Sequence, residues 1–327
     1  NEYRFDGLRF DAVHAIGDNG FLDRMAREIR EAAMDRHVHL VLENEANDPD
    51  RLEGHYDAQW NDDFHNAAHV VLTGETASYY RAFADEPARR LARTLAEGFC
   101  YQGEEISPGH TRGAPSGHLP PTAFVNFLQN HDQIGNRALG ERLTVLVDEV
   151  QLQAATALLL LSPAIPMVFM GDEVGSRSPF LFFTDFHDEL AAAVRKGRRR
   201  EFADFPAFAK REERERIPDP NALSTFEASV PRPGPQAEEW REFYRHLLAV
   251  RRRELVPHLD IAKSLGACSV GDAAVVAGWR LGDAEELHLI ANLGSSGVKP
   301  ELPEGQELFR CGDPWTGPGF IARLVKP

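Results

Sequence analysis

From residue 5 to residue 170 the chain alternates between short apolar runs and segments with the hydrophobic repeat of an amphipathic helix. The run at 38–42 is almost entirely apolar, which is typical of a strand covered on both sides of a parallel sheet. The predicted strands are 5–12, 38–42, 123–128 and 165–170, and the predicted helices are 21–33, 86–98 and 150–161. Strands that alternate with helices predict an α/β fold, a parallel sheet with crossover helices.

The pattern changes after Gly171. Residues 107–121 already form a loop rich in Pro and Gly, and residues 180–183 read as an aromatic loop. Two further helices are predicted at 190–202 and 238–253. Beyond them, alternating strands at 273–280, 286–292 and 320–325 are separated by Gly, Pro and Asp, which indicates a small antiparallel β-domain at the end of the chain.

Composition narrows the class of protein. A length of 327 residues suggests one large and one small domain. The net charge of −15 argues against a nucleic-acid partner, because neutralising phosphates requires clustered Lys and Arg. Three widely spaced cysteines without a CxxC motif favour a reducing, cytoplasmic compartment and indicate neither a zinc site nor a disulfide framework.

The sequence has no apolar stretch of membrane-spanning length and no visible signal peptide, so we expect no membrane partner. The first residue is Asn1 rather than Met, and it lies only a few residues before a strong motif. We therefore expect that the chain lacks its N-terminal part. The sequence gives no indication of the oligomeric state.

Three acidic residues follow the ends of three predicted strands. Asp11 is the last residue but one of the segment GLRFDA, Glu43 ends VHLVLE, and Asp132 follows FLQNH. The carboxyl ends of strands in a parallel α/β barrel meet at one face, where active sites lie. The 32 positions between Asp11 and Glu43 amount to about one strand–helix unit, which would place the two residues on neighbouring strands.

Two facing carboxyl groups suit the cleavage of a glycosidic bond. One carboxylate attacks or stabilises the anomeric carbon, and a carboxylic acid on the other side protonates the leaving oxygen. Arg9 lies two residues before Asp11, and therefore on the same strand face, where it would keep Asp11 ionised and oriented. Asp132 would grip sugar hydroxyls and help to distort the ring.

These segments resemble the conserved blocks of the α-amylase superfamily. GLRFDA is similar to the block with the invariant arginine and the nucleophile, LENEAN to the block with the general acid, and NHDQIGN to the block with the stabilising aspartate. Three further segments are similar to the maltooligosyl trehalose trehalohydrolase branch: DAVHAI, DAQWNDDFH and the aromatic loop SPFLFFTD. The resemblance is good over about the first 205 residues and loose in the tail.

The resemblance implies roles for residues at the matching positions. Asp11 would be the nucleophile, Glu43 the acid/base and Asp132 the stabiliser. The expected substrate contacts are Arg9, His14, His131, Trp60, Asp63 and Phe182. The implied reaction hydrolyses the α-1,4 bond next to the terminal trehalose of maltooligosyl trehalose, with retention and without a cofactor or metal.

The same resemblance implies a partial (β/α)8 TIM barrel. The family carries a β-sandwich and barrel strands one to three ahead of the first block, so residues 1–256 would supply strands four to eight and residues 257–327 the small β-domain. A barrel cannot close without its missing strands. The fragment alone is therefore expected to be inactive.

Other readings of the same residues stay open. An Asp after a strand is often a helix N-cap, and Glu45 competes with Glu43 for the acid role. His65 and His69 have helical metal-ligand spacing, but no HExxH motif or third ligand accompanies them. Two rival functions remain: another glucan hydrolase or branching enzyme of the superfamily, and a non-catalytic glucan-binding fragment.

Overall fold

The computed structural model describes residues 2–107, 109–203, 205–282 and 284–326. The chain divides into two compact units. The first consists of Asn1–Leu128, Val150–Met167 and Leu247–Pro327, and the second of Gln129–Glu149 and Val168–His246. Among the described helices, none combines the length and apolar character that crossing a membrane requires.

The strands of the described residues are β1 Gly7–Phe10, β2 His39–Leu42, β3 Ala58–Trp60, β4 Glu104–Ser107, β5 His110–Arg112, β6 Phe124–Asn126, β7 Ile165–Pro166, β8 Lys263–Val270, β9 Ala274–Arg280, β10 Glu286–Asn292, β11 Gln306–Gly312 and β12 Gly319–Val325. The α-helices are α1 Asn19–Ala32, α2 Asp62–Thr73, α3 Pro87–Glu97, α4 His131–Gly135, α5 Leu143–Leu146, α6 Glu149–Leu161, α7 Asp188–Glu201, α8 Arg211–Glu215, α9 Leu223–Ser229 and α10 Ala237–Val250.

A five-stranded parallel sheet lies in the first unit, in the order β1-β2-β3-β6-β7. In its register, Phe10 pairs with Leu42, Trp60 with Val125, and Val125 with Ile165. The neighbouring strands are consecutive in the chain apart from the β4–β5 hairpin, as the βαβ pattern predicts. Consequently the residues that follow β1, β2 and β3 all emerge at the carboxyl edge of the sheet.

Helix α1 covers one face of this sheet. It begins after Asp18, whose carboxylate accepts a hydrogen bond from the Phe21 amide. Its apolar stripe packs Leu22 and Ala26 against Leu40 and Leu42 of β2, and all four are almost completely buried. This packing fixes β2 and therefore the position of the residue after it.

Helix α6 is buried on nearly all sides. The side chain of an arginine from a distant part of the chain contacts its C-terminal end. The guanidinium of Arg251 donates to the carbonyls of Leu160, Ser162 and Ala164 at 3.0, 2.6 and 2.8 Å. A helix leaves its last carbonyls without partners, so this contact satisfies that of Leu160 and places a cation at the negative end of the helix dipole. Burial lowers the pKa of Arg251 to about 10.

A second, antiparallel sheet has the order β11-β12-β10-β9-β8. It belongs to the same compact unit as the parallel sheet, because α3 packs against β8 and β9. The expected α/β fold with an antiparallel sheet near the end of the chain is thus observed. The two compact units divide the chain at other positions, and the predicted domain boundary between residues 256 and 257 stays a prediction.

The second unit is built around a buried arginine. Arg142 has no exposed surface, donates to the carbonyls of Ser178 and Met170 at 2.7 and 3.0 Å, and lies 3.4 Å from Asp172. Asp172 also accepts from Gln129 at 2.6 Å. Burial raises the pKa of Asp172 to about 7.

Several elements differ from the sequence expectations. Strands β3, β4, β8 and β11 were not predicted, and the expected loop at 107–121 includes strand β5. The strand expected at 165–170 pairs only at Ile165 and Pro166. The Met167 amide still donates to the Asn126 carbonyl of β6 at 2.8 Å, but residues 167–169 lie outside the strand.

Candidate active site

Arg9 brings Asp11 and Glu43 together at the carboxyl edge of the parallel sheet. Its Nη1 contacts Oδ1 of Asp11, and its Nη2 lies 2.7 Å from Oε1 of Glu43. Both carboxyl groups therefore flank one guanidinium. The Asp11 side chain is 80% exposed and that of Glu43 17% exposed, so the two groups meet in different surroundings.

The turn after β1 holds the second oxygen of Glu43. The Ala12 amide donates to Oε2 of Glu43 at 2.8 Å, and the Val13 amide donates to the Glu43 carbonyl at 3.0 Å. Ala12 adopts a left-handed backbone conformation with φ of 43°, which non-glycine residues rarely adopt. This uncommon turn directs the amide at the carboxylate, and such strain often marks functional sites.

Trp60, the last residue of β3, supports Arg9 from the side. The centre of the Arg9 guanidinium lies 4.1 Å from the centroid of the Trp60 ring, a cation–π contact. The Trp60 ring in turn meets Phe127 edge-on at 5.9 Å. Trp60 is therefore in a position to orient Arg9, in addition to the sugar contact expected from the sequence.

The loop after Glu43 is fixed by buried amides. Gln59 donates to the Asn44 carbonyl at 2.9 Å, and Asn47 donates to Asp63 at 2.8 Å. The Glu45 amide donates to Nδ1 of His14 at 3.3 Å, while the Glu45 side chain is 73% exposed. The Glu43 side chain is the less exposed of the two and lies close to Asp11 on the same guanidinium, which favours Glu43 over Glu45 as the acid.

Asp63 lies beneath the site rather than in it. Its side chain is fully buried and pairs with Arg112 at 2.8 Å. It also accepts from Asn47 and from the amides of Cys100 and Tyr101, at 2.8, 2.8 and 3.2 Å. This placement corrects the expected sugar contact, because protein groups surround the carboxylate. Asp63 instead holds the loop that follows Glu43.

His131, Asp132 and Phe182 belong to the second unit. Asn130 caps α4, and its side chain accepts from the Asp132 amide at 2.8 Å. The side chains of His131 and Asp132 are exposed, and Asn136 donates to Oδ1 of Asp132 at 2.8 Å. Phe182 is 40% exposed and lies 5.3 Å from the guanidinium of Arg198.

The buried histidines of α2 are engaged by other groups. Nδ1 of His65 lies 2.6 Å from the Leu128 carbonyl, and Nε2 of His69 lies 2.8 Å from Glu75. A different set of metal-binding side chains lies together within the described residues: His37, His39 and Asp57. Sequence reasoning missed this set, because Asp57 is distant in the chain and an H-x-H spacing alone is a weak signal.

The comparisons with known proteins identify the class of fold. A crystal structure of a Salmonella typhimurium protein, provisionally named an α-amylase, matches 99% of this chain with a TM-score of 0.90 and 41% identity. The match covers 58% of that protein. A family model described as a domain of unknown function (DUF3459) matches residues 263–325, the antiparallel sheet. The fold is that of the α-amylase class of glycoside hydrolases.

Within that class, curated relatives carry one name. A malto-oligosyltrehalose trehalohydrolase from Deinococcus radiodurans is 39% identical over 308 residues, which is 90% of this chain and 49% of the relative. One from Saccharolobus solfataricus is 42% identical over 209 residues, 62% of this chain and 37% of the relative. The resemblance to malto-oligosyltrehalose trehalohydrolases is confirmed. The chain spans about half the length of the Deinococcus relative and less than half of the Saccharolobus relative.

Proposed function

We propose that this chain carries the nucleophile and the acid/base of an enzyme that releases trehalose from maltooligosyl trehalose. The observation that carries the proposal is the pair Asp11 and Glu43 on one guanidinium, at the carboxyl edge of a parallel sheet. The names of the curated relatives supply the substrate, a malto-oligosyltrehalose. The bond proposed is the α-1,4 bond next to the terminal trehalose that the sequence resemblance implies. Fold alone would not specify it.

In this proposal the reaction proceeds by double displacement. Asp11 attacks the anomeric carbon as Glu43 protonates the departing oxygen of trehalose, which gives a covalent glycosyl–enzyme intermediate. Glu43, now deprotonated, removes a proton from water, which attacks the anomeric carbon and releases Asp11. The configuration at the anomeric carbon is therefore retained.

Substrate entry must rearrange the Glu43 contacts. In the free chain, Oε1 of Glu43 lies against Arg9 and Oε2 accepts from the Ala12 amide. The departing oxygen needs one of these positions. Because Ala12 is held by its turn while Arg9 has Asp11 and Trp60 as further partners, we propose that the Arg9–Glu43 contact opens and Arg9 stays on Asp11.

We further propose that β1, β2, β3, β6 and β7 correspond to strands four to eight of a (β/α)8 barrel, followed by the small β-domain from residue 257. The support is their consecutive parallel order and the position of Asp11 and Glu43 after the first two strands. In the same scheme Asp132 follows β6 and would stabilise the reacting sugar. The expected roles of His14, His131 and Phe182 as sugar contacts, a cytoplasmic location and the lack of a nucleic-acid partner stay predictions.

Product analysis tests the function. Two proteins are incubated with maltooligosyl trehalose: the chain alone, and the joined protein, in which the chain is fused to the part of the Deinococcus relative that it does not match. We expect trehalose and a maltooligosaccharide from the joined protein, and no turnover by the chain alone. Maltose or a branched glucan instead of trehalose would assign another activity of the superfamily and reject the proposal.

Substitution of Glu43 tests its assigned role. Glu43→Gln keeps the shape but cannot donate the proton, so we expect turnover to fall by about 10²- to 10⁴-fold with substrate binding retained. Glu45→Gln is the matched control, since Glu45 lies two residues further along the same loop and is largely exposed. A greater loss for Glu45→Gln than for Glu43→Gln would transfer the acid role to Glu45.

The second candidate function is glucan binding without catalysis. The order of the parallel sheet ends at β1 and at β7, so the described residues form no closed barrel. Calorimetry with maltooligosaccharides separates the two functions. Saturable binding without turnover, both in the chain and in the joined protein, would favour the binding function.

A further inference from the structure

Two histidines and an aspartate lie together at the edge of the parallel sheet opposite to the candidate active site. Nε2 of His37 lies 3.1 Å from Oδ1 of Asp57. The rings of His37 and His39 have centroids 4.6 Å apart and planes at 72°. One ligand atom from each of the three residues lies within 4.8 Å of the other two.

The parallel sheet gathers these side chains. His39 is the first residue of β2, and His37 precedes it by two positions. Side chains two positions apart in an extended segment project to the same face, so the two imidazoles lie on one face. Asp57 directly precedes β3, and its amide donates to the Leu40 carbonyl at 2.9 Å. Gly7 faces His39 across β1 and β2, and a Cβ there would lie 3.1 Å from the His39 Cβ. A larger residue at position 7 would therefore crowd the His39 side chain.

The two carboxylate oxygens of Asp57 have different partners. Its Oδ2 accepts from the Leu40 amide at 2.6 Å and from Arg30 at 2.7 Å. Its Oδ1 faces His37. Carboxylates that bind metal ions are commonly fixed in this manner, with neighbouring donors that orient the ligand oxygen. The positive charge of Arg30 weakens the attraction for a cation, which makes the two imidazoles essential for binding.

The donor set selects the type of ion. Imidazole nitrogens suit Zn²⁺ and neighbouring transition metals, whereas Ca²⁺ and Mg²⁺ prefer oxygen ligands throughout. His37 and His39 are exposed, so an ion can enter and water can complete its coordination. The net charge of −15 favours the approach of cations.

We propose that His37, His39 and Asp57 form a binding site for a divalent transition-metal ion of the Zn²⁺ type. The site lies four residues before Glu43, about 13 Å away along β2 at roughly 3.3 Å per residue. Its ligands join the starts of β2 and β3, so the ion stabilises the sheet that positions Glu43 and takes no part in bond cleavage. The proposal is independent of the proposed function.

Calorimetric titration of the chelator-treated chain with Zn²⁺ tests the site. We expect one saturable ion per chain and a rise in the thermal unfolding temperature, since a ligand that binds the folded state stabilises it. Loss of an outer-shell partner of a metal site lowers the affinity roughly ten- to hundredfold. The double variant His37→Gln/His39→Gln loses two direct ligands, so its affinity for Zn²⁺ should fall by at least as much. His187→Gln, at an exposed histidine of the second unit, is the matched control and should bind as the unmodified chain does.

Further measurements decide between the outcomes. Co²⁺ in place of Zn²⁺ should give visible absorption bands that vanish in the double variant, and Ca²⁺ or Mg²⁺ at equal concentration should not displace Zn²⁺. His37→Gln alone serves if the double variant unfolds, because His37 lies outside the strand. Absence of saturable binding, unchanged affinity in the histidine variants, or displacement by Ca²⁺ would each overturn the proposal.

Discussion

Arg9 is the residue on which the candidate active site depends. It reaches Asp11 with one terminal nitrogen and Glu43 with the other, while Trp60 supports the plane of its guanidinium. A guanidinium presents several donors in a fixed fork, which a lysine ammonium cannot reproduce. The chemical identity of Arg9, and not its charge alone, therefore fixes the relative position of the two carboxylates.

Arg9→Lys should separate charge from geometry. We expect kcat/KM for maltooligosyl trehalose to fall by about 10²-fold or more in the joined protein, because misplaced reacting groups cause losses of that order. The assay is trehalose release. Arg24→Lys on α1 is the control, since Arg24 is exposed and pairs with Asp18, which is also exposed. Equal activity of Arg9→Lys and the unmodified protein would remove the bridging role.

Sequence motifs identified Arg9, Asp11 and Glu43, but not the contacts that organise them. The Ala12 amide is directed at Glu43 by a left-handed backbone conformation, and alanine gives no sequence signal for that conformation. Asp63 was expected to contact sugar because it lies in a matching motif. Its partner Arg112 lies on β5, a strand that falls within the loop expected at 107–121. Residue type predicts chemistry, whereas burial depends on the packing of distant segments.

At the scale of elements, the end of α3 illustrates how helix termination and packing combine. Gly98 ends the helix with φ of 88°, and a Cβ there would lie 2.0 Å from the Phe124 ring of β6. Gly74 ends α2 with φ of 70°, and nothing lies within 4 Å of its Cβ position. The two glycines share a positive φ, but ψ is 7° at Gly74 and −76° at Gly98, and their surroundings differ as well.

Alanine substitution at these glycines should therefore have unequal effects. Gly74→Ala should lower the free energy of unfolding by about 1–2 kcal/mol, the strain of a left-handed residue. Gly98→Ala should lower it by about a further 1–3 kcal/mol or more, because Phe124 must shift. Urea denaturation of both variants measures the difference. Equal losses would mean that Phe124 adjusts freely.

Regular elements were predictable where the periodicity was long. The helix expected at 21–33 is observed as Asn19–Ala32, and the strand expected at 286–292 is Glu286–Asn292. Strand β3, Ala58–Trp60, was missed because three residues are too few for a periodic signal. Strand β8 was missed because its burial pattern does not alternate cleanly. Short strands are specified by their neighbours in the sheet and not by their own sequence.

At the scale of the whole molecule, each compact unit contains a buried charged network. In the first unit Asp63 pairs with Arg112, and in the second Asp172 lies beside Arg142. Composition predicts the abundance of charge but not its burial. The second network has a consequence for stability, because burial raises the pKa of Asp172 to about 7.

The pH dependence of the second unit should follow from Asp172. An unfolded Asp titrates near pH 4, so between about pH 4 and 7 the folded state holds a proton that the unfolded state has lost. The unfolding free energy should therefore fall as pH rises through this window, by up to about 1.4 kcal/mol per pH unit. Asp172→Asn should remove that slope, and hydrogen exchange of second-unit peptides, compared with the unmodified chain at each pH, measures it.

Asp219 provides a control of opposite sign within the same unit. Burial acts to raise its pKa, but the Asn221 amide and Arg195 together hold the pKa below its ordinary value. Its stabilising contribution is present above the unfolded pKa and is lost as pH falls through the folded pKa. Asp219→Asn should thus alter protection at acidic pH only weakly, since the side chain is partly exposed, and should leave the slope between about pH 4 and 7 intact. If Asp172→Asn kept that slope, the proton would have to reside on another group. Asp172 and Arg142 would then both be ionised across the whole window from about pH 4 to 7.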